Sequence, residues 1–390
     1  MLLLKHNTLD SNDLITIERQ YLRWSKHKGS FITSEFNVLD CSRTDLYGHL
    51  MGIFEKLGIL NTLNITVSQL LDFLVDIDSS YHSTPYHTFY HAADIVTILY
   101  FAVTELEAST CFTNKEIAIL FIAAICHDVG HPGFNNDFQV KTRSNLATRY
   151  NNTSVLESHS IDLSIPLIEK HGLFKGIDYI DLFRKLILST DMAYHYDLLQ
   201  EARDLEEDPF FWFWDDKRRT NFAKILLHAA DISNTVRVWP ISKQWSDLIV
   251  QEFFQQGDAE RSAGLTVSPG MDRALASQAS ISLRFGDLIV KPYFEAVYRL
   301  LPKASVWIDT LEQNRIEWEK VKRETPLTAA IRRHGSVSIP AGTVLLPSLL
   351  ETKMKPMRIL RASSHSNILI PPQNSISSEL RRNSVQHIVS

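Results

Sequence analysis

Apolar residues recur at helical spacing along most of the chain, and no segment keeps up the two-residue alternation of a strand. After a mixed opening stretch, residues 14–26, 46–60 and 67–77 read as helices, the last with Thr66 as a plausible N-cap. Pro85 suits the first turn of a helix that continues along a stripe of Ile95, Ile98, Leu99, Ala102, Val103 and Leu106. Residues 117–126 are apolar without a break. Further helices are predicted over 144–150, 154–169, 180–190, 221–230 and 245–256, then two long ones over 275–301 and 306–322. The aromatic cluster at 210–214 has no assignable conformation. The pattern predicts an all-α body.

Several of these apolar helices end in groups that do not belong in a core. Residues 117–126 stop at His127 and Asp128, with His131, Pro132 and Gly133 following; residues 221–230 stop at Asp231. Buried charge is costly unless it is paired or bound to a metal. Imidazole nitrogen and carboxylate oxygen suit zinc or a similar divalent ion, so His91, His127, Asp128 and Asp231 are candidate ligands of one centre. Asp128 has two oxygens and is the natural bridge to a second ion. His87 lies four residues before His91 on the same helix face, about 6 Å along the axis, where an imidazolium would serve as general acid. Glu157 is the carboxylate expected to hold His87 protonated.

Charge sharpens this picture. From Arg323 onward there are nine Lys/Arg against three Asp/Glu, while the first 322 residues carry 31 basic and 42 acidic side chains. An acidic body is a poor nucleic-acid binder, and an anionic substrate would need bound cations as intermediary. Residues 323–390 hold eleven serines and no Phe, Trp or Tyr, which predicts a flexible tail. Its segment Arg381-Arg382-Asn383-Ser384 fits the preference of a basophilic, cAMP-dependent kinase, with Ser384 as acceptor. Three cysteines without a CxxC pair fit a reducing compartment. No apolar run approaches the roughly 18 residues of a membrane span, and residues 1–6 lack a signal-peptide core, so an intracellular, cytoplasmic location is expected.

The motifs together resemble the catalytic domain of class I cyclic nucleotide phosphodiesterases. The resemblance rests on Tyr86-His87-Thr88-Phe89-Tyr90-His91-Ala92-Ala93-Asp94, on His127-Asp128-Val129-Gly130-His131-Pro132-Gly133, and on Ser154-Val155-Leu156-Glu157-Ser158-His159. Thr190-Asp191-Met192, His228-Ala229-Ala230-Asp231-Ile232-Ser233-Asn234 and Glu252-Phe253-Phe254-Gln255-Gln256-Gly257-Asp258 follow in the family's order. It covers residues 35–322, leaving 1–34 as an N-terminal extension and 323–390 as the tail. It implies a compact, multi-helix HD-type metal phosphohydrolase domain. It also implies zinc at the tighter site and magnesium or manganese at the second, with a bridging hydroxide attacking phosphorus. His87 would protonate the leaving O3′, and His131, Glu157 and Thr190 would order water or the catalytic histidine.

The same resemblance puts the purine between Ile249 and Phe285, with Asn234 at the base edge and Met192 on the substrate side. Where the family presents a glutamine to the base, this chain has Ser282; Gln278 stands one helical turn earlier. Thr88 and Gly130 are further departures. Residues 239–245 are most similar to the high-affinity cAMP-selective branch, so the expected reaction is hydrolysis of cAMP to the 5′-monophosphate. A metal phosphohydrolase or nucleotidase with another substrate, and a nucleotide-binding relative with reduced turnover, stay open as alternatives. The oligomeric state has no sequence signal.

Overall fold

The computed structural model of the protein describes residues 9–26, 35–207 and 215–324. Among these the regular elements are all helical: α1 (Ser11–Lys26), α2 (Arg43–Lys56), α3 (Ile59–Leu63), α4 (Val67–Ser79), α5 (Phe89–Thr104), α6 (Asn114–Cys126), α7 (Asn136–Lys141), α8 (Asn145–Arg149), α9 (Val155–Lys170), α10 (Ile180–Leu188), α11 (His195–Glu207), α12 (Asp216–Asp231), α13 (Trp239–Ser262), α14 (Gln278–Phe285), α15 (Lys291–Leu300) and α16 (Ser305–Glu324). The aromatic cluster at 210–214, Ser384 and the expected tail beyond Glu324 lie outside the described residues.

Local chemistry sets the helix starts. Thr66 caps α4 and Thr113 caps α6, each in a reciprocal capping box with the Gln or Glu three residues on. The apolar run of α6 is buried from Ile117 to Cys126, so this helix threads the centre of the core. α12 and α13 begin earlier than their apolar patterns suggest, and the long helix expected over 275–301 is divided. Ser277 caps α14, and a π-helical segment at Gly286–Val290 separates α14 from α15.

One expectation about the helices needs correction. Pro85 does not start α5: the helix begins at Phe89 with Thr88 as N-cap, so His87 lies in the turn before it. Part of the stretch expected as an N-terminal extension is docked on the core. α1 lies against α2, where a side chain at Gly52 would put its Cβ 2.2 Å from Cγ of Trp24. Ile17 and Trp24 are buried in the same apolar cluster as α2 and α5.

Candidate active site and metal centre

Three helices deliver four ligand atoms to one point. His91 comes from the first turn of α5, His127 from the C-cap of α6, Asp128 from the next residue, and Asp231 from the last turn of α12. Their ligand atoms all lie within 4.8 Å of one another. His91 Nε2 is 3.0 Å from Asp231 Oδ1 and 3.6 Å from Asp128 Oδ2. His127 Nε2 is 3.0 Å from Asp128 Oδ2 and 3.4 Å from Asp231 Oδ1.

These donors fit a divalent cation. Nδ1 of His127 donates to the Ala124 carbonyl at 2.8 Å, which turns Nε2 into the cluster. That Nε2 is buried and has no well-aligned hydrogen-bond partner, despite its nearness to both carboxylates. Burial pulls the His127 imidazole down, but Asp128 and Asp231 outweigh burial and hold it well above its ordinary value. A cation satisfies the same charge balance in place of that proton.

Beside the cluster stands a second group, built on His87. Its Nδ1 makes a short hydrogen bond to Glu252 Oε1, while Glu252 Oε2 accepts from the Tyr86 amide at 3.0 Å and the His87 amide at 3.3 Å. Burial lowers the His87 pKa, yet the charges of Glu252 and Asp128 raise it overall. Glu252 shows the reverse balance: burial raises it, but His87 brings it down to about 2. His131 stacks on His87, ring centroids 3.8 Å apart, and its Nδ1 accepts from the Gly133 amide. Burial, then the charge of His87, brings His131 down to about 3, so one ring of the stack is neutral. The His87 and His91 rings are 5.9 Å apart, near the spacing expected of one helical turn although His87 is not helical.

Glu157 is therefore not the partner of His87. Both its oxygens accept from Asn136 Nδ2, and burial, then Asp191, pushes it up to about 8. Thr190 Oγ1 donates to the Ile187 carbonyl. Glu252 had a sequence signal beyond its motif. The buried face of α13 runs through Ile241, Trp245, Glu252, Gln256 and Glu260, and polar residues in such a stripe need partners.

Next to the cluster, the Tyr86 ring packs 4.5 Å from that of His91, and its hydroxyl makes a short hydrogen bond to Asn234 Oδ1. Asn234 Nδ2 is buried without a partner. Ile249 and Phe285 are half-buried at the edge of the core. Met192 is exposed. Ser282 shares a 2.8 Å hydrogen bond with Ser246, and Gln278 Nε2 donates to Ser246 Oγ and Asp247 Oδ1. Ser282 is thus fastened to α13, and Gln278 is already engaged there.

The fold and this paired arrangement of a His/Asp cluster with a carboxylate-held histidine define a helical phosphodiesterase domain. The 3'5'-cyclic nucleotide phosphodiesterase family model matches residues 86–311. The chain belongs to that family. It is 30% identical over 334 residues to the high affinity cGMP-specific 3',5'-cyclic phosphodiesterase 9A of Homo sapiens, covering 82% of this chain and 56% of that protein. It is 34% identical over 285 residues to the 3',5'-cyclic-AMP phosphodiesterase 4C of Mus musculus, covering 69% and 41%. The chain thus spans little more than half the length of the first relative and less than half of the second. Among solved structures, the phosphodiesterase domain of the RhoPDE fusion protein from the choanoflagellate Salpingoeca rosetta matches with a TM-score of 0.70 and 27% identity, covering 78% of this chain and 98% of that one.

Proposed function

We propose that this protein hydrolyses a 3′,5′-cyclic nucleotide to the 5′-monophosphate. The observation that carries the reading is the His87–Glu252 pair standing beside the four-ligand cluster. His91, His127, Asp128 and Asp231 are the ligands we assign to a zinc ion, with Asp128 shared with a magnesium or manganese ion. When bound, such ions supply positive charge to the phosphoryl oxygens and acidify water.

The chain's own part is to hold the proton and the base. Glu252 engages Nδ1 of His87 and leaves Nε2–H to donate to the leaving O3′. Neutral His131, stacked on the ring, supports its orientation without competing for its charge. With a second ion bound, Glu157 and Thr190 would order water around it. Asn234, Ile249, Phe285 and Met192 form the nucleotide side, with Ser282 in place of an amide. The relatives are named for both cAMP and cGMP, so the preference for cAMP rests on residues 239–245. The domain limits we propose stay at 35–322, with α1 as a docked part of the same core.

The test is release of 5′-AMP and 5′-GMP from the cyclic substrates with Mg²⁺, with and without a chelator. Chelator-sensitive release is expected, faster on cAMP. A folded, metal-loaded protein that releases neither product overturns the reading.

A further inference from the structure

The stretch between α12 and α13 is a single 3-10 turn, Ser233–Val236, followed by Arg237. It begins two residues after Asp231 and carries Asn234. Its own bonding is weak: the Arg237 amide reaches the Asn234 carbonyl at 3.4 Å, and Thr235 Oγ1 reaches the Ile232 carbonyl at 3.3 Å. Such a turn does not hold a side chain in place unaided.

Three other elements hold it. Tyr86 ties Asn234 Oδ1. Arg237 is buried in an ion pair with Asp94, one turn after His91 on α5, and also donates to the Phe36 carbonyl. The third element is α16. Asn314, 2% exposed, uses Nδ2 to donate to two main-chain carbonyls of the turn, Thr235 at 2.8 Å and Arg237 at 2.7 Å. One amide thus spans the residues on either side of Val236. It also satisfies acceptors that would be costly to leave bare.

We propose that Asn314 is a positioning residue for nucleotide binding: from α16, it fixes the turn that aims the free Nδ2 of Asn234. The inference rests on reading that side of the site as the nucleotide pocket, and it adds a residue that bonds to the turn from α16. Asn314 acts on binding through Asn234. The metal ligands and His87 are held by other contacts, so the chemical step is left largely alone.

The test compares wild type, Asn314→Ala and Asn314→Asp, each also in an Asn234→Ala background. Asp keeps the shape of Asn314 but replaces its amide donor by a carboxyl oxygen facing the two carbonyls, so it reads the hydrogen bonds even where Ala disturbs packing. The expected result is a KM for cAMP and cGMP raised about 10-fold, the size of one or two buried hydrogen bonds, with kcat within about twofold and metal content unchanged. In the Asn234→Ala background the Asn314 variants raise KM no further, because the residue they act through is gone. A lowered melting temperature with KM unchanged overturns the proposal. So does a fully additive rise in KM. If wild type turns over neither nucleotide, the phosphodiesterase reading falls, and titration of cAMP by tryptophan fluorescence decides the positioning claim. Binding weakened by both Asn314 variants upholds it; equal binding, or none by wild type, overturns it.

Discussion

Glu252 holds His87 from 165 residues away in the chain, and it does so with both its oxygens: one on the imidazole Nδ1, the other on the main-chain amides of Tyr86 and His87. This carboxylate fixes both the orientation of the ring and its charge. The raised pKa keeps His87 protonated beyond the usual imidazole range, so its acid form is fully present at low pH and is lost as pH rises through the raised value. Replacing Glu252 by Gln should lower kcat about 10- to 100-fold and move the alkaline limb of the kcat/KM profile to lower pH. The profile measured on both proteins checks this; an unmoved limb would show that another group supplies the charge.

The metal cluster predicts a different signature. Asp128→Asn should reduce the bound divalent ions, measured by elemental analysis, and cut kcat by about a thousandfold or more. His127→Ala should empty the same cluster. Full metal content and full activity in either variant would rule out the ligand set.

Glu157 should make occupancy by the second ion depend on pH. Burial and then Asp191 push it up to about 8, so its negative charge is complete only above that value. Half-saturation by Mg²⁺ should therefore fall as pH rises from 7 to 9, and Glu157→Gln should flatten the trend. Activity titrations with Mg²⁺ at several pH values read both.

Ser282 should tune the base site. Ser282→Gln breaks the hydroxyl pair with Ser246 and restores the amide that the family presents. It should change KM for cAMP or cGMP by about 5- to 150-fold, the worth of roughly 1–3 kcal/mol. Unchanged KM for both would remove Ser282 from the base site.

Stability should carry its own pH dependence through His195 and His228. Their rings share a buried hydrogen bond of 3.0 Å linking α11 to α12. Burial pushes both down to about 4. The unfolded chain takes up these protons near pH 6.5 and the folded one only near 4, so the stability they allow above 6.5 is lost as pH falls toward 4. Between pH 7.5 and 5, wild type should lose roughly 5 °C more in melting temperature than His195→Gln.

Much of this architecture was legible from apolar spacing. α6 is the plainest case, because an uninterrupted apolar run that stops at His127 and Asp128 leaves little else to predict. The clustering of His91, His127, Asp128 and Asp231 was legible for the same reason: each is a polar group at or near the end of a buried helix. Partnerships between distant helices were not. Glu157 and Glu252 are both acidic residues on helices, and only the packing of α13 against the turn at residue 87 brings one of them to His87. The start of α5 was misjudged because Pro85 is compatible with a helix start as well as with the turn that precedes one. α1 looked detached because its anchor is the Gly48 and Gly52 face of α2, and glycines carry no hydropathy signal.

The provenance of the four ligands also bears on when the site comes into being. His91 and Asp231 are 140 residues apart in sequence, and His127 lies on a helix between them. No short segment of the chain contains enough ligands to grip an ion tightly. The donors meet only after α5, α6 and α12 have docked, so tight ion capture belongs to the last stage of folding. Uptake of a divalent ion during refolding should then be a clock for completed long-range assembly, lagging behind the appearance of helix.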